Sequence, residues 1–302
     1  MAAALSKKDK KTLQGFKSKC DQLISTNGAA GITIDEALIS IKVVLEKTIL
    51  SLGEKGKTSL IRSQKPIKLI HEAVKTSLIK FGINPANIKP QLGAASGELK
   101  LSGFLKKKDQ DICVIPNGQH PILEKMTVGL LAGHDDQYGA VMTENIISIN
   151  VRSQLSSLGN NIDTLYERTF AESMNLHMRC PRMCLGEVYM IPVFEYHKHK
   201  AQKKQIDWVT TKSPIETYIK AFTAINSRVS VTDELYKYEK VCLLIVDFSK
   251  AIPKLYSTDA DLRADGLIPN GSTASMVTLN YQSFVNDLLG TYMARFTANN
   301  FI

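Results

Sequence analysis

Residues 187–194 read EVYMIPVF and residues 241–248 read VCLLIVDF, and these two apolar runs decide the fold class. Continuous apolar runs of this length are typical of strands buried on both faces. Between them, Ser213-Pro214-Ile215-Glu216 predicts a capping box with proline at the first helical position, opening a helix that reaches about Ile225. A buried strand, a helix and a second buried strand predict a covered parallel pair.

The chain before these strands supplies further elements of the same domain. Glu98–Leu105 alternates as a strand does, and Asp111–Ile115 is a short apolar run. Asn145–Val151 is rich in β-branched residues, whereas Asp163–Met178 has the apolar period of a helix. From residue 98 the predicted order is β, β, β, α, β, α, β. We therefore expect an α/β domain with a mixed central sheet flanked by helices.

Residues 1–97 predict a helical region of different character. Lys11–Ile24, Ala37–Leu52 and Lys65–Phe81 have helical periods, and Thr33 with Glu36 forms a capping box before the second of these helices. Residues 83–97 carry prolines and glycines and read as a loop or boundary. The chain is thus predicted to divide into a basic helical region, 1–97, and an α/β domain, 98–302.

The charge of the chain is unevenly distributed. The 302 residues hold 38 Lys and Arg against 29 Asp and Glu, a net charge of +9. Residues 1–108 hold 20 basic and 8 acidic residues, a net charge of +12, and the remainder carries −3. A basic first third is typical of a polyanion-binding region, although a solvated lysine-rich surface gives the same count.

Several classes of protein are excluded by composition. An apolar content of 44% is too high for a disordered chain, and no apolar run approaches the length of a membrane span. The charged N-terminus lacks the apolar region of a secretory signal. Five scattered cysteines fit a reducing compartment better than a disulfide framework, so we expect a cytoplasmic protein.

Candidate catalytic residues follow from the strand pattern. Asp111 opens an apolar strand, where an aspartate is either a turn residue or a metal ligand. In the next strand, alternation places Ser148, Asn150 and Arg152 on one face, which predicts a half-buried strand with its polar face in a cleft or in solvent. Glu167 and Glu172 in the following helix are five residues apart, so at most one of them should face that cleft.

The order of elements and residues resembles type II restriction endonucleases of the PD-(D/E)XK nuclease superfamily, whose core is a helix, three strands, a helix and a strand. The resemblance covers about residues 98–195. Leu99–Leu105 with Asp111–Ile115 is similar to the hairpin that presents the first acid, and Asn150–Gln154 is similar to the (acid)-x-Lys strand. Residues 156–161 and the helix with Glu167 are most similar to XhoI-type members.

Two positions depart from the family pattern. Asn150 stands where the family has an acid, and Arg152 stands where it has a lysine. One account is that Glu172 or Glu167 completes the metal site beside Asp111, while Arg152 stabilises charge on the phosphate. The other account is a degenerate site that binds DNA without cutting it.

The resemblance implies a set of roles for these residues. Mg²⁺ is the implied metal, with Asp111 as its principal ligand, Glu172 or Glu167 as the second, and Asn150 holding a metal-bound water. Glu187 is an outside candidate that is better explained as a charged residue at a strand end.

The implied activity is hydrolysis of double-stranded DNA at a specific sequence, in a restriction system and by a homodimer. The alternatives are a catalytically degenerate DNA-binding protein on the same fold, and a basic helical module joined to an unrelated α/β enzyme. Segments 116–142 and 195–212 are predicted recognition loops. The predicted DNA contacts are Lys106, Lys107, Lys108, Ser153, Gln154, Asn160 and Asn161.

Two further motifs favour ordinary structural interpretations. One group of histidines and cysteines resembles a zinc set but lacks its tight paired spacing, so core and surface roles are favoured. Gly53–Ser59 resembles the end of a phosphate-binding loop but follows a helix, and it predicts a helix–helix turn instead. The zinc-like group comprises His177, Cys180, Cys184, His197 and His199.

Overall fold

The computed structural model describes residues 5–27, 30–159 and 162–296, which build an α/β structure around a six-stranded sheet. The strands are β1 Ile88–Lys89, β2 Leu99–Ser102, β3 Lys107–Gln110, β4 Ile112–Val114, β5 Glu124–Lys125, β6 Asp135–Asp136, β7 Ile147–Ser153, β8 Cys184–Pro192, β9 Lys240–Asp247 and β10 Lys254–Tyr256. The helices are α1 Lys7–Asn27, α2 Ile34–Arg62, α3 Lys68–Lys80, α4 Gly139–Asn145, α5 Ile162–His177, α6 Lys198–Gln202, α7 Ile215–Ala224, α8 Asp259–Ala264 and α9 Tyr281–Arg295.

The central sheet is mixed, with the strand order β1-β4-β7-β8-β9-β10. The strands β7, β8 and β9 are parallel neighbours, and the pairs β1/β4, β4/β7 and β9/β10 are antiparallel. The helix α5 connects β7 to β8, and α7 connects β8 to β9. The predicted parallel pair and the mixed sheet flanked by helices are therefore confirmed.

The two faces of the sheet bury different groups of helices. Ile149 and Val188 belong to a core that includes side chains of α1, α2, α3 and α9. Leu185 and Leu243 belong to a second core, which includes side chains of α5 and α7. Both faces are covered, as the continuous apolar runs of β8 and β9 require.

Residues on both sides of the predicted domain boundary at residue 97 belong to the same apolar core. Ile88, in the segment predicted as a loop or boundary, forms β1 and pairs with Val114 of the central sheet. Leu38 and Leu69 of the N-terminal helices are buried in the same core as Ile149. The N-terminal helices and the sheet thus share their apolar interior in this structure.

The predicted hairpin before the sheet is wrong in its pairing. β2 pairs with β3, Leu99 opposite Gln110, in a separate two-stranded sheet, whereas β4 pairs with β1 and β7. Asp111 lies where the chain passes from one sheet to the other. β3 begins at Lys107, so two of the three consecutive lysines at 106–108 belong to a strand.

The helix ends test the predicted capping boxes. At Thr33 the box is confirmed, since its hydroxyl accepts from Glu36 N and the Glu36 carboxylate accepts from Thr33 N at 2.8 Å. At Ser213 it is wrong, because the Ser213 hydroxyl donates to Pro192 O at 2.7 Å and helix α7 begins at Ile215. Among the helices of the described residues, none has the length and apolar character needed to cross a bilayer.

Candidate active site

Three oxygen-bearing side chains line up across the middle of the sheet. Asn150 of β7 lies directly opposite Glu187 of β8. On the other side of β7, Ile112 pairs with Ile149, so Asp111, one residue before, continues the row beside Asn150. The backbone N–H of Val151 donates to Asp111 Oδ2 at 2.8 Å and fixes this carboxylate against β7. Directly paired residues share a face of a sheet, so the row lies on one face.

This face belongs to the α5 side of the sheet. Ile149 and Val151 pack into the opposite core, which confirms the predicted alternation along β7. Of the two predicted surroundings of the polar face, solvent is wrong, because Ser148 and Asn150 are buried. The reason is that α5 covers this face.

Glu172 enters the site from α5. It is buried, and its two carboxylate oxygens contact Lys108 Nζ and Arg152 Nη2. Glu167, on the same helix, is exposed. As predicted from their spacing, only one of these two carboxylates faces the site.

Glu187 is the residue that sequence reasoning placed least well. It is the fourth residue of β8 and has 0% exposure, so the prediction of a charged strand end is wrong. Arg152 Nε lies 3.3 Å from Glu187 Oε1. The pKa of Glu187 is raised to about 7. Burial is the main cause and Asp111 adds to it, while Arg152 and Lys108 act in the opposite direction.

Lys108 is the second residue whose place was not predicted. It follows Lys107 on β3, and the alternation of that strand turns it to the same side as the buried Gln110. Gln110 Oε1 accepts from the Ser148 hydroxyl at 2.9 Å, which anchors this end of β3 to β7. Burial and the charge of Arg152 lower the pKa of Lys108 to about 8, while Glu187 and Asp111 oppose the shift.

The buried oxygens of the row fit a hard cation. Asn150 Oδ1 and both carboxylate oxygens of Glu187 are buried and accept no hydrogen bond from any described residue. A buried oxygen that accepts no hydrogen bond is costly in free energy. Amide and carboxylate oxygens are also the ligands that Mg²⁺ prefers. With Asp111 beside them, these residues could hold such an ion together with water and a phosphate.

The candidate cation site contains few carboxylates. Within residues 5–27, 30–159 and 162–296, no three His, Cys, Asp or Glu side chains come together as a metal-binding group. Any cation here would depend on two carboxylates and an amide, which is compatible with Mg²⁺ because it commonly keeps several waters.

The residues predicted to contact DNA are dispersed around this site. Lys106 is exposed, and Lys107 Nζ contacts the backbone oxygen of Asp135. Ser153 ends β7 and is partly exposed. Gln154 Oε1 accepts from Tyr189 Oη at 3.1 Å, so this side chain is held in place by the fold. Asn160 and Asn161 lie outside the described residues.

The members of the zinc-like group have separate environments. His177 is buried, with Nδ1 2.9 Å from Leu235 O, and Cys180 and Cys184 are buried in different apolar cores. His197 and His199 lie at the start of α6, with ring centroids 5.9 Å apart.

Comparison with protein-family models, with curated proteins and with solved structures finds no match for this chain. What the site does must therefore be inferred from its own residues and their geometry.

Proposed function

We propose that this protein is a Mg²⁺-dependent endonuclease that hydrolyses phosphodiester bonds of double-stranded DNA. The observation that carries this proposal is the row Asp111–Asn150–Glu187 beside the cations Arg152 and Lys108. In this row, Asn150 Oδ1 and both carboxylate oxygens of Glu187 are buried without a hydrogen bond. A site with oxygen ligands on one side and fixed positive charge on the other is suited to a metal ion and a phosphate.

The order of elements supports this proposal. The helix α3 is followed in the central sheet by β1, β4 and β7, then by α5 and β8. If α4 and the strands of the two small sheets are left aside, this order is similar to the helix, three strands, helix and strand of a restriction-endonuclease-like core. Asp111 precedes the second of these strands, and Asn150 and Arg152 lie on the third.

Each residue of the site has a role that follows from its contacts. Asp111, Asn150 and Glu187 would hold Mg²⁺. Bound Mg²⁺ supplies positive charge to the phosphate and lowers the pKa of a water molecule. Arg152 is always a cation and is held beside Glu172 and Glu187, so its fixed positive charge would stabilise the negative charge of a phosphate at the site.

The test compares the parent protein with Asp111→Asn on mixed-sequence DNA in the presence of Mg²⁺. We expect discrete fragments from the parent and a loss of about 10²–10³-fold in cleavage rate for the variant. Asp109→Asn is the matched control, because Asp109 lies two residues away on β3 and is exposed. Equal cleavage by the parent and Asp111→Asn would overturn the role of Asp111.

A second candidate function is DNA binding without cleavage on the same fold. It is favoured by the pairing of Glu172 with both Lys108 and Arg152 and by the small number of carboxylates at the site. DNA that is retarded on a gel by the parent, yet stays uncut with Mg²⁺, would support this function and overturn the nuclease.

The proposal includes a homodimer acting in a restriction system. Two symmetry-related sites are the simplest means of cutting both strands of a symmetric sequence. Sedimentation of the protein with a duplex that it cuts should give two chains for each duplex, and one chain would contradict the dimer.

A further inference from the structure

The contacts of Glu172 distinguish the two cations of the site. Arg152 contacts both Glu172 and Glu187, so two carboxylates hold it. Lys108 has its ion pair with Glu172, and 29% of its side chain is exposed against 16% for Arg152. Lys108 is therefore the more accessible cation.

At Lys108, a phosphate can replace the Glu172 carboxylate as the anionic partner without leaving a buried charge unpaired. If a phosphate oxygen replaces Glu172 beside Lys108, Lys108 keeps an anionic partner and Glu172 keeps Arg152. Breaking a buried pair is costly mainly because it leaves a lone charge, and this exchange avoids that cost. The same exchange at Arg152 would have to displace two carboxylates.

We propose that Lys108 is the cation that contacts the scissile phosphate, and that Glu172 is a positioning residue that holds Lys108 in the free protein rather than a metal ligand. This inference rests on the proposed function and assigns the substrate contact within the same site. Its geometric basis is the register of β3, which turns Lys108 inward beside Gln110 and leaves Lys107 and Asp109 exposed.

The first experiment compares Lys108→Met with Lys100→Met, since Lys100 is an exposed lysine on the paired strand β2. Cleavage of mixed-sequence plasmid DNA is measured in a single turnover with Mg²⁺ and saturating protein. We expect Lys108→Met to lose about 10²–10³-fold in rate, whereas Lys100→Met keeps the parental rate. Lys108→Arg should recover part of the loss because it restores the charge.

The second readout does not depend on cleavage. Binding of a DNA duplex is measured with Ca²⁺ in place of Mg²⁺ over a range of salt concentrations. Loss of one phosphate contact lowers the slope of log affinity against log salt by about 1, which we expect for Lys108→Met. Melting temperatures of the variants identify any that fail to fold, and Lys108→Gln, which also removes the charge but keeps a polar side chain, then replaces Lys108→Met in both assays.

The role of Glu172 is tested with Glu172→Gln. We expect tighter DNA binding, because no carboxylate competes for Lys108, a cleavage rate within about tenfold of the parent and an unchanged Mg²⁺ dependence. A metal ligand would instead show a large increase in the Mg²⁺ concentration needed for half-maximal rate, and that result would overturn the assignment.

The outcomes separate this inference from the proposed function. If the parent cuts DNA and Lys108→Met cuts it equally fast, the inference fails and the nuclease stands. If the parent cuts no DNA, the nuclease fails, and the salt slope of Lys108→Met still decides whether Lys108 contacts phosphate. An unchanged slope overturns that contact.

Discussion

At the scale of single residues, the unusual feature of this protein is a carboxylate in the interior of a parallel sheet. Glu187 interrupts the apolar run of β8 and has no exposed surface. Charged residues are rarely buried unless they are paired, and Glu187 opens the run EVYMIPVF, so the sequence favoured an exposed strand end at this position. What the sequence could not supply was its neighbour, because the pairing with Asn150 depends on strand register.

The protonation of Glu187 predicts a pH-dependent difference in stability. Its pKa is raised from 4.5 to about 7 in the folded protein, mainly by burial. The folded state therefore binds more protons than the unfolded state between these values, and this stabilising contribution is lost as pH rises through 7. The free energy of unfolding of Glu187→Gln, relative to the parent, should increase from pH 5 to pH 8 by on the order of 2 kcal/mol.

Urea unfolding at the two pH values measures this difference. Glu167→Gln is the control, because Glu167 is exposed on α5 and its substitution should give a difference that stays nearly constant with pH. A constant difference for Glu187→Gln as well would show that Glu187 is ionised throughout this range.

At the scale of elements, α2 contains a bend that its sequence only partly indicated. Residues 53–59 were predicted as a turn between two helices, and the structure breaks the helical backbone in this segment, but only at Gly53, after which the chain is again helical to Arg62. Gly53 has a φ of 67°, and a Cβ built there would lie 2.9 Å from Ala201 O. A glycine is thus required both by the backbone conformation and by the close approach of α6.

The kink predicts opposite effects for two glycine-to-alanine substitutions in helices. Gly53→Ala should lower the free energy of unfolding by about 1–3 kcal/mol through backbone strain and contact with Ala201. Gly290→Ala, in α9, meets no atom within 4 Å and should raise it by about 0.5–1 kcal/mol. Equal effects at the two sites in thermal unfolding would contradict the assigned strain.

The elements that the sequence predicted best are those with long apolar patterns. The predicted strand 241–248 corresponds to β9 and the predicted helix 163–178 to α5, each within a residue or two. β1 was missed because two residues carry no periodicity. The separate pairing of β2 with β3 was missed because the passage of the chain from one sheet to the other at Asp111 has no local signal.

At the scale of the whole molecule, one buried carboxylate joins distant parts of the chain. Glu239 Oε1 accepts from Arg228 Nη1 at 2.9 Å and from Arg295 Nη1 at 2.7 Å, while Oε2 accepts from Leu185 N at 2.7 Å. Burial alone would raise its pKa, but its contacts with His177 and Arg295 hold the pKa below its usual range. The end of α9 is thereby fixed to the start of β8 and β9.

Removing this charge should destabilise the entire fold. Breaking a buried charge pair typically costs about 3–5 kcal/mol, and we expect a loss of this size for Glu239→Gln in chemical unfolding. Glu234→Gln is the matched control, because Glu234 is largely exposed and pairs with Lys237 at the surface. A loss below about 1 kcal/mol for Glu239→Gln would show that these contacts are redundant.

The edges of the central sheet have a consequence for self-association. β1 has two residues and is followed by Pro90, and β10 has three and begins with Lys254. Short edges that carry lysine or adjoin proline offer little backbone for another chain to extend into a fibril. The long apolar strands β8 and β9 have the composition of aggregation-prone segments. β8 lies between β7 and β9, while the outer edge of β9 pairs with β10 over residues 245–247 and donates from Val241 N and Leu243 N to Asn226 Oδ1 and Leu279 O. Concentrated, folded protein should therefore resist amyloid formation, and partial unfolding that exposes β8 or β9 is the step at which fibrils would begin.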